Sequence, residues 1–180
     1  MDFQLTEQQK LFKKTVREFA EKEIKPLAPK IDKEEYFPWE LYKKMGKLGL
    51  MGMTVPKKYG GAGIDKICYM IALEEISRVC GSTGLSVEAH NSLGVGHIYE
   101  KGTEEQRKKY LPKLLHGEAI AAWALTEPNA GSDAANLQTT AVLDGDEWIL
   151  NGTKQFITSG DIATITTVMA KTDKSLGAKG

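Results

Sequence analysis

The chain has 180 residues, with 24 Lys and Arg balanced by 24 Asp and Glu and 41% hydrophobic residues. That length supports a core able to fold without disulfide staples, and the balanced charge lacks the basic excess of a dedicated nucleic-acid binder. No apolar run approaches the roughly 18 residues of a membrane-spanning helix, residues 1–5 carry no basic and apolar leader pattern, and Cys68 and Cys80 with three scattered His form no metal-ligand spacing.

Residues 1–119 predict a helical domain. Thr6-Glu7-Gln8-Gln9 reads as a capping box. Leu11, Phe12, Thr15, Val16, Phe19, Ala20 and Ile24 follow at helical spacing, until Pro26 and Pro29 end the run. A shorter helix is expected after Pro38, through Leu41, Met45 and Leu48. Pro56 with Gly60, Gly61 and Gly63 makes 55–63 a loop. Cys68, Ile71, Ala72, Ile76 and Val79 mark another amphipathic helix, which Gly81-Ser82-Thr83-Gly84 is expected to break. A long helix then covers 85–101; it is apolar round much of its circumference and so belongs inside a bundle. Thr103-Glu104-Glu105-Gln106 caps the next helix.

The composition changes near residue 120. Residues 1–119 hold 5 Thr and residues 120–180 hold 9, while Lys and Arg fall from 20 to 4. Threonine is β-branched and suits pleated, half-buried surfaces, so residues 120–180 predict the first strands of a β-domain. Residues 138–143 alternate, Asp144-Gly145 offers a tight turn, and 147–150 continues the pair. Asn151-Gly152 offers a second turn before an expected strand at 153–158, and 163–170 is a further β-rich run. Three or four strands leave an unpaired sheet edge, so the chain reads as the front part of a longer protein. Two thiols in a chain of this size suit a reducing compartment, cytoplasmic or organelle-matrix.

Two stretches carry candidate chemistry. Trp123-Ala124-Leu125-Thr126-Glu127-Pro128-Asn129-Ala130-Gly131-Ser132-Asp133 is an apolar strand running into a turn rich in hydroxyls and main-chain N–H groups. Such a turn offers donors to a carbonyl or phosphate oxygen; on the pattern alone an ordinary strand-to-loop junction is the better explanation. Lys154-Gln155-Phe156-Ile157-Thr158-Ser159-Gly160, taken as a strand, presents a ring and a hydroxyl on one face, or is a plain amphipathic strand. Glu74 and Glu75 point in different directions on a helix and read as solvent or ion-pair groups. His90 and His97, seven apart, lack a third ligand and read as packing residues.

Five ordered blocks together resemble the acyl-CoA dehydrogenase family. They are Val55-Pro56-x-x-Tyr59-Gly60-Gly61-x-Gly63, Glu74-Glu75-Ile76-Ser77-Arg78, and Gly102-Thr103-Glu104-Glu105-Gln106 with Tyr110-Leu111-Pro112. The last two are Leu125-Thr126-Glu127-Pro128-x-Ala130-Gly131-Ser132-Asp133 and Leu150-Asn151-Gly152-Thr153-Lys154-x-Phe156-Ile157-Thr158. The resemblance implies an N-terminal helical domain followed by the start of a mostly antiparallel β-domain, the family's C-terminal helical bundle lying outside these residues. It implies FAD as cofactor, held by Trp123, Ala124, Leu125 and Thr126, with Phe156, Ile157 and Thr158 against the ring. Ser132 is implied to contact both the flavin side and the acyl-CoA, and Ser86, Ala89 and His90 are candidate liners of the acyl-tail pocket. Many members carry Trp where this chain has Phe156, which keeps a stacking ring but loses area and an indole donor.

The implied reaction is α,β-dehydrogenation of an acyl-CoA thioester, with hydride passing to the flavin N5. The family's base is a glutamate of the C-terminal region, so no catalytic residue is assigned in this chain. The implied partners are the acyl-CoA, an electron-transfer flavoprotein as acceptor, and further copies of the same protein. An acyl-CoA oxidase or flavin monooxygenase of the same fold is the alternative within the fold, and a non-catalytic helical binding module the alternative outside it.

Overall fold

A computed structural model of the chain describes residues 4–180; residues 1–3, part of the leader reading, lie outside them. Helix α1 (Glu7–Phe19) starts on the expected capping box, with the Thr6 hydroxyl accepting from the Gln9 N–H and the Gln9 side chain accepting from the Thr6 N–H. A π-turn (Ala20–Ile24) extends it to the proline pair, and α2 (Ala28–Glu34) takes up Pro29 in its first turn, where a missing N–H costs nothing. Then come α3 (Trp39–Lys47), α4 (Lys66–Val79), α5 (Gly81–Glu88), a π-helical stretch (Ala89–Val95), α6 (Gly96–Lys101) and α7 (Glu104–Leu115).

The expected break falls at Cys80, in extended backbone (φ -154°, ψ 104°): α4 ends at Val79 just before it, and helix resumes at Gly81 rather than at Leu85 and is continuous to Lys101. The reason for Gly84 is proximity. A Cβ there would lie 2.0 Å from the Ser77 Oγ on α4, so the missing side chain lets α5 lie against α4 rather than ending a helix.

The strands are β1 (Ala121–Ala124), β2 (Thr140–Asp144), β3 (Glu147–Asn151) and β4 (Ile165–Val168). β2 and β3 form the expected antiparallel hairpin, Thr140 opposite Asn151, while β1 pairs in parallel with β4, Ala121 opposite Ile165. The strand expected at 153–158 is instead a loop. Phe156 sits at φ 57°, a left-handed backbone outside the extended region of a regular strand.

Two buried clusters meet at the entry to β1. One joins α1, α3 and α4 through Val16, Met45, Met51, Ala72 and Ile76 and includes Ile120. The other joins the π-stretch, α6 and α7 through Val95, Ile98, Leu111 and Leu114 and includes Ala119 and Ala121. Strand alternation sends 119 and 121 to one side and 120 to the other, so this segment ties both clusters together. Glu75 is fully buried between α1 and α4, gripped by both nitrogens of a fork from Arg17 at 2.8 Å, with Lys13 at 3.4 Å and Arg78 at 3.3 Å. Glu74 stays exposed and pairs with Lys13.

Helix and strand are joined by polar groups as well. The Met53 N–H donates to Asn91 Oδ1, and Asn91 Nδ2 donates to the Leu50 and Val87 carbonyls. The Ala121 N–H donates to His90 Nδ1, so the proton lies on Nε2, which donates to the Met51 carbonyl. Burial pushes the His90 pKa down to about 4, and the ring is neutral in the fold. Gly94 completes the contact: a Cβ there would stand 2.4 Å from the Ala121 Cβ and 2.8 Å from its carbonyl oxygen. Gly94→Ala in the full-length protein should therefore lower stability by about 1–3 kcal/mol, read as an earlier denaturant midpoint; an unmoved midpoint would mean that helix and strand do not meet here.

Candidate functional site

β1 ends at Ala124, and the chain turns back through Glu127 and Ala130, which exchange main-chain hydrogen bonds at 3.1 Å each way. The Glu127 side chain does not face solvent. It is 5% exposed and accepts from the main-chain N–H of Gln138 (2.6 Å) and Thr139 (2.9 Å), from the Thr139 hydroxyl, and from Lys154 Nζ at 2.8 Å. Burial alone would raise its pKa; the Lys154 ammonium, the hydroxyl and the two amides outweigh it and hold the carboxyl at about 2. A carboxylate so engaged is a poor proton acceptor near neutral pH. Glu127 is a structural anion that ties the turn to residues 138, 139 and 154.

Lys154 carries that anchor to the second motif. Its Nζ also donates to the Leu125 carbonyl at 2.9 Å, the Gln155 N–H donates to the Thr126 carbonyl at 2.9 Å, and Gln155 Nε2 reaches the Glu127 carbonyl at 3.3 Å. Residues 154–155 are thus strapped along 125–127. The next three residues are delivered to one crevice, of about 160 Å³, lined by Trp123, Leu125, Thr126, Phe156, Ile157 and Thr158 with Ala89 and Leu93 from the π-stretch.

Six of the eight residues singled out in the two motifs therefore share one wall. Ala124 is buried and does not line the crevice, and Ser132 is exposed beyond the turn. Of the candidate tail-pocket residues, Ala89 lines this crevice, Ser86 lines a separate groove with Tyr42, Thr83 and Ile162, and His90 is the buried link described above. Sequence reasoning quoted Lys154 within the second stretch without giving it a role, and passed over Leu93. The available signal for Lys154 was its rarity, as one of four basic residues after 120.

The crevice has donors with nothing to donate to. The Trp123 indole N–H is buried without a hydrogen-bond partner. Among the described residues, neither the hydroxyl nor the main-chain N–H of Thr126 or Thr158 donates to a protein group. Apolar walls, an exposed Phe156 ring and idle donors fit a flat, acceptor-edged ring system such as a flavin. Among the described residues, no group of three or more His, Cys, Asp and Glu is arranged to hold a metal, and no helix is long and apolar enough to cross a membrane.

Comparison with known proteins fits this geometry. The model of the acyl-CoA dehydrogenase N-terminal domain matches residues 6–118, and that of the acyl-CoA dehydrogenase middle domain matches residues 122–180. The chain belongs to the acyl-CoA dehydrogenase family. It is 53% identical over 180 residues to a short-chain specific acyl-CoA dehydrogenase of Clostridium acetobutylicum, covering 100% of this chain and 48% of that protein. Butyryl-CoA dehydrogenase from Megasphaera elsdenii superimposes with a TM-score of 0.89 at 39% identity, over 98% of this chain and 47% of that one. A glutaryl-CoA dehydrogenase from Mycobacterium smegmatis, solved in complex with FADH2, superimposes with a TM-score of 0.90 at 38% identity, over 94% and 44%. The chain spans about half the length of the curated relatives it matches.

Within this dehydrogenase-type frame, the strap makes a clear prediction. Lys154→Met in the full-length protein leaves a buried carboxylate without its cation and should cost about 3 kcal/mol, with faster hydrogen exchange at the 155–158 amides. Glu127 has its folded pKa below its unfolded one, so its contribution is present above about pH 4.5 and is lost as pH falls towards 2. The variant should unfold at higher pH on acid titration than the parent. Matching acid transitions and unchanged exchange would rule the strap out.

Proposed function

We propose that the full-length protein is an FAD-dependent dehydrogenase that introduces an α,β double bond into an acyl-CoA thioester. The observation that carries this reading is the convergence of Trp123, Leu125 and Thr126 with Phe156, Ile157 and Thr158 on one crevice, in a chain of the acyl-CoA dehydrogenase family. A short acyl chain is the preferred substrate, on the strength of the short-chain specific relative at 53% identity.

The flavin, when bound, supplies the two-electron acceptor for the hydride leaving the β-carbon. This chain's residues hold and bias it. Leu125 and Ile157 exclude water, and Phe156 offers a ring face. Thr126 and Thr158 present hydroxyl and main-chain donors where negative charge develops on reduction, each fixed before the reaction by the Lys154 strap. Such a donor is worth about 3 kcal/mol when water is excluded. Ser132, exposed at the mouth of the turn, is assigned to the acyl-CoA. An electron-transfer flavoprotein is the proposed acceptor of the electrons, and association into a homo-oligomer is proposed for the whole protein, as the family resemblance implies.

The test is direct. The full-length protein should be yellow as purified and should bleach anaerobically when butyryl-CoA is added; a colourless protein indifferent to thioesters would sink the assignment. Thr158→Ala should slow flavin reduction in stopped flow by about 100-fold while changing the butyryl-CoA dissociation constant far less. An unchanged reduction rate would remove Thr158 from its role.

A further inference from the structure

Trp123 is a large side chain on a strand of four residues, and nothing polar fixes its indole, since its N–H has no partner. What does touch it is His97. The imidazole of His97, on α6, stacks on the Trp123 ring with centroids 5.1 Å apart and planes 17° from parallel. His97 is itself held: its Nδ1 donates to the carbonyl of Leu93, one helical turn earlier. A carbonyl only accepts, so the Nδ1 proton is required, and the ring cannot rotate without losing that bond.

The placement is continuous with the crevice. Ala89 and Leu93 line it together with Trp123, and His97 follows at the same spacing of four along the helix. Ala121 and Trp123 alternate onto the face of β1 that meets this helix, Ala121 against Gly94 and Trp123 against His97. The histidine therefore backs a crevice residue whose indole N–H has no hydrogen bond to orient it.

We propose that His97 is a positioning residue, whose stacked imidazole fixes the Trp123 indole in the wall of the cofactor crevice. The stack holds the indole whether or not the flavin is present; that this helps bind flavin rests on the function proposed above. His97 donates no proton to substrate in this role. What it contributes is a flat, tethered partner that selects one Trp123 rotamer.

The full-length protein carrying 5-fluorotryptophan gives a resonance for each indole, with Trp123 assigned by its loss in Trp123→Phe. In the apoprotein, His97→Ala should shift and exchange-broaden the Trp123 resonance, while the Trp39 and Trp148 resonances stay in place and report an intact fold. His97→Phe, which restores a flat partner, should return a single narrow Trp123 line. On titration with FAD, the dissociation constant should rise about tenfold in His97→Ala and by less than twofold in His97→Phe. The proposal is overturned by a Trp123 line unaffected in His97→Ala, by His97→Phe being as perturbed as His97→Ala, or by a mobile indole with parental FAD affinity. A parent protein that fails to bind FAD would overturn the flavin reading of the crevice, whereas the positioning role is decided on the apoprotein spectra alone.

Discussion

The site depends on a single buried ion pair, Glu127 with Lys154. Their side chains are 5% and 11% exposed, so both charges have left water, at a desolvation cost of several kcal/mol per ion. That cost is offset because Glu127 accepts from two amides, a hydroxyl and the ammonium, while Lys154 finds a second acceptor in the Leu125 carbonyl. An apolar pair of similar volume would hold the two segments together without specifying their register. The charged pair admits one arrangement, and in that arrangement Gln155 reaches Thr126 and Thr158 arrives in the crevice.

A second constraint sets the other wall. The helix running from Gly81 to Lys101 is π-helical over Ala89–Val95, the stretch that faces β1. Wider π turns change which side chains share a face and are frequent at functional sites. Here they coincide with the His90 and Asn91 hydrogen bonds and with the Gly94 approach to Ala121. The helix is thereby anchored to a loop on one side and to a strand on the other. The two liners it contributes, Ala89 and Leu93, sit on the helix that these bonds anchor.

Much of the helical half was legible because its signals are local. Capping boxes at Thr6 and Thr103 and apolar spacing along α1 and α4 act within a few residues, and tertiary contacts had no reason to override them. The break after α4 was legible at 80–81, but Gly84 misled as to where helix resumes, because glycine has two uses, bending the chain and letting another element come close; only the position of Ser77 on α4 decides between them at Gly84. Residues 153–158 misled for a related reason. Their β-branched and aromatic content has strand character, yet the Lys154 strap engages them through one ammonium and one amide instead of a ladder. The site residues were found through a family resemblance. Their convergence was invisible in the pattern, because a salt bridge spanning 27 residues leaves no periodic trace.

The backbone at Phe156 bears on the ligand role proposed for this crevice. A non-glycine residue at φ 57° costs about 1–2 kcal/mol, and the same residue holds an aromatic ring 87% exposed. Within the described residues nothing covers the ring, and the left-handed turn opposes the strand its composition prefers. Both persist because the strap at 154–155 over-determines the residues just before them. Strain that a fold imposes on itself without structural return is expected where a bound group supplies the return. On the proposed function, a flat ring meeting Phe156 would convert its exposed surface into contact while engaging the idle donors of Thr126 and Thr158, offsetting the cost of holding the loop in place.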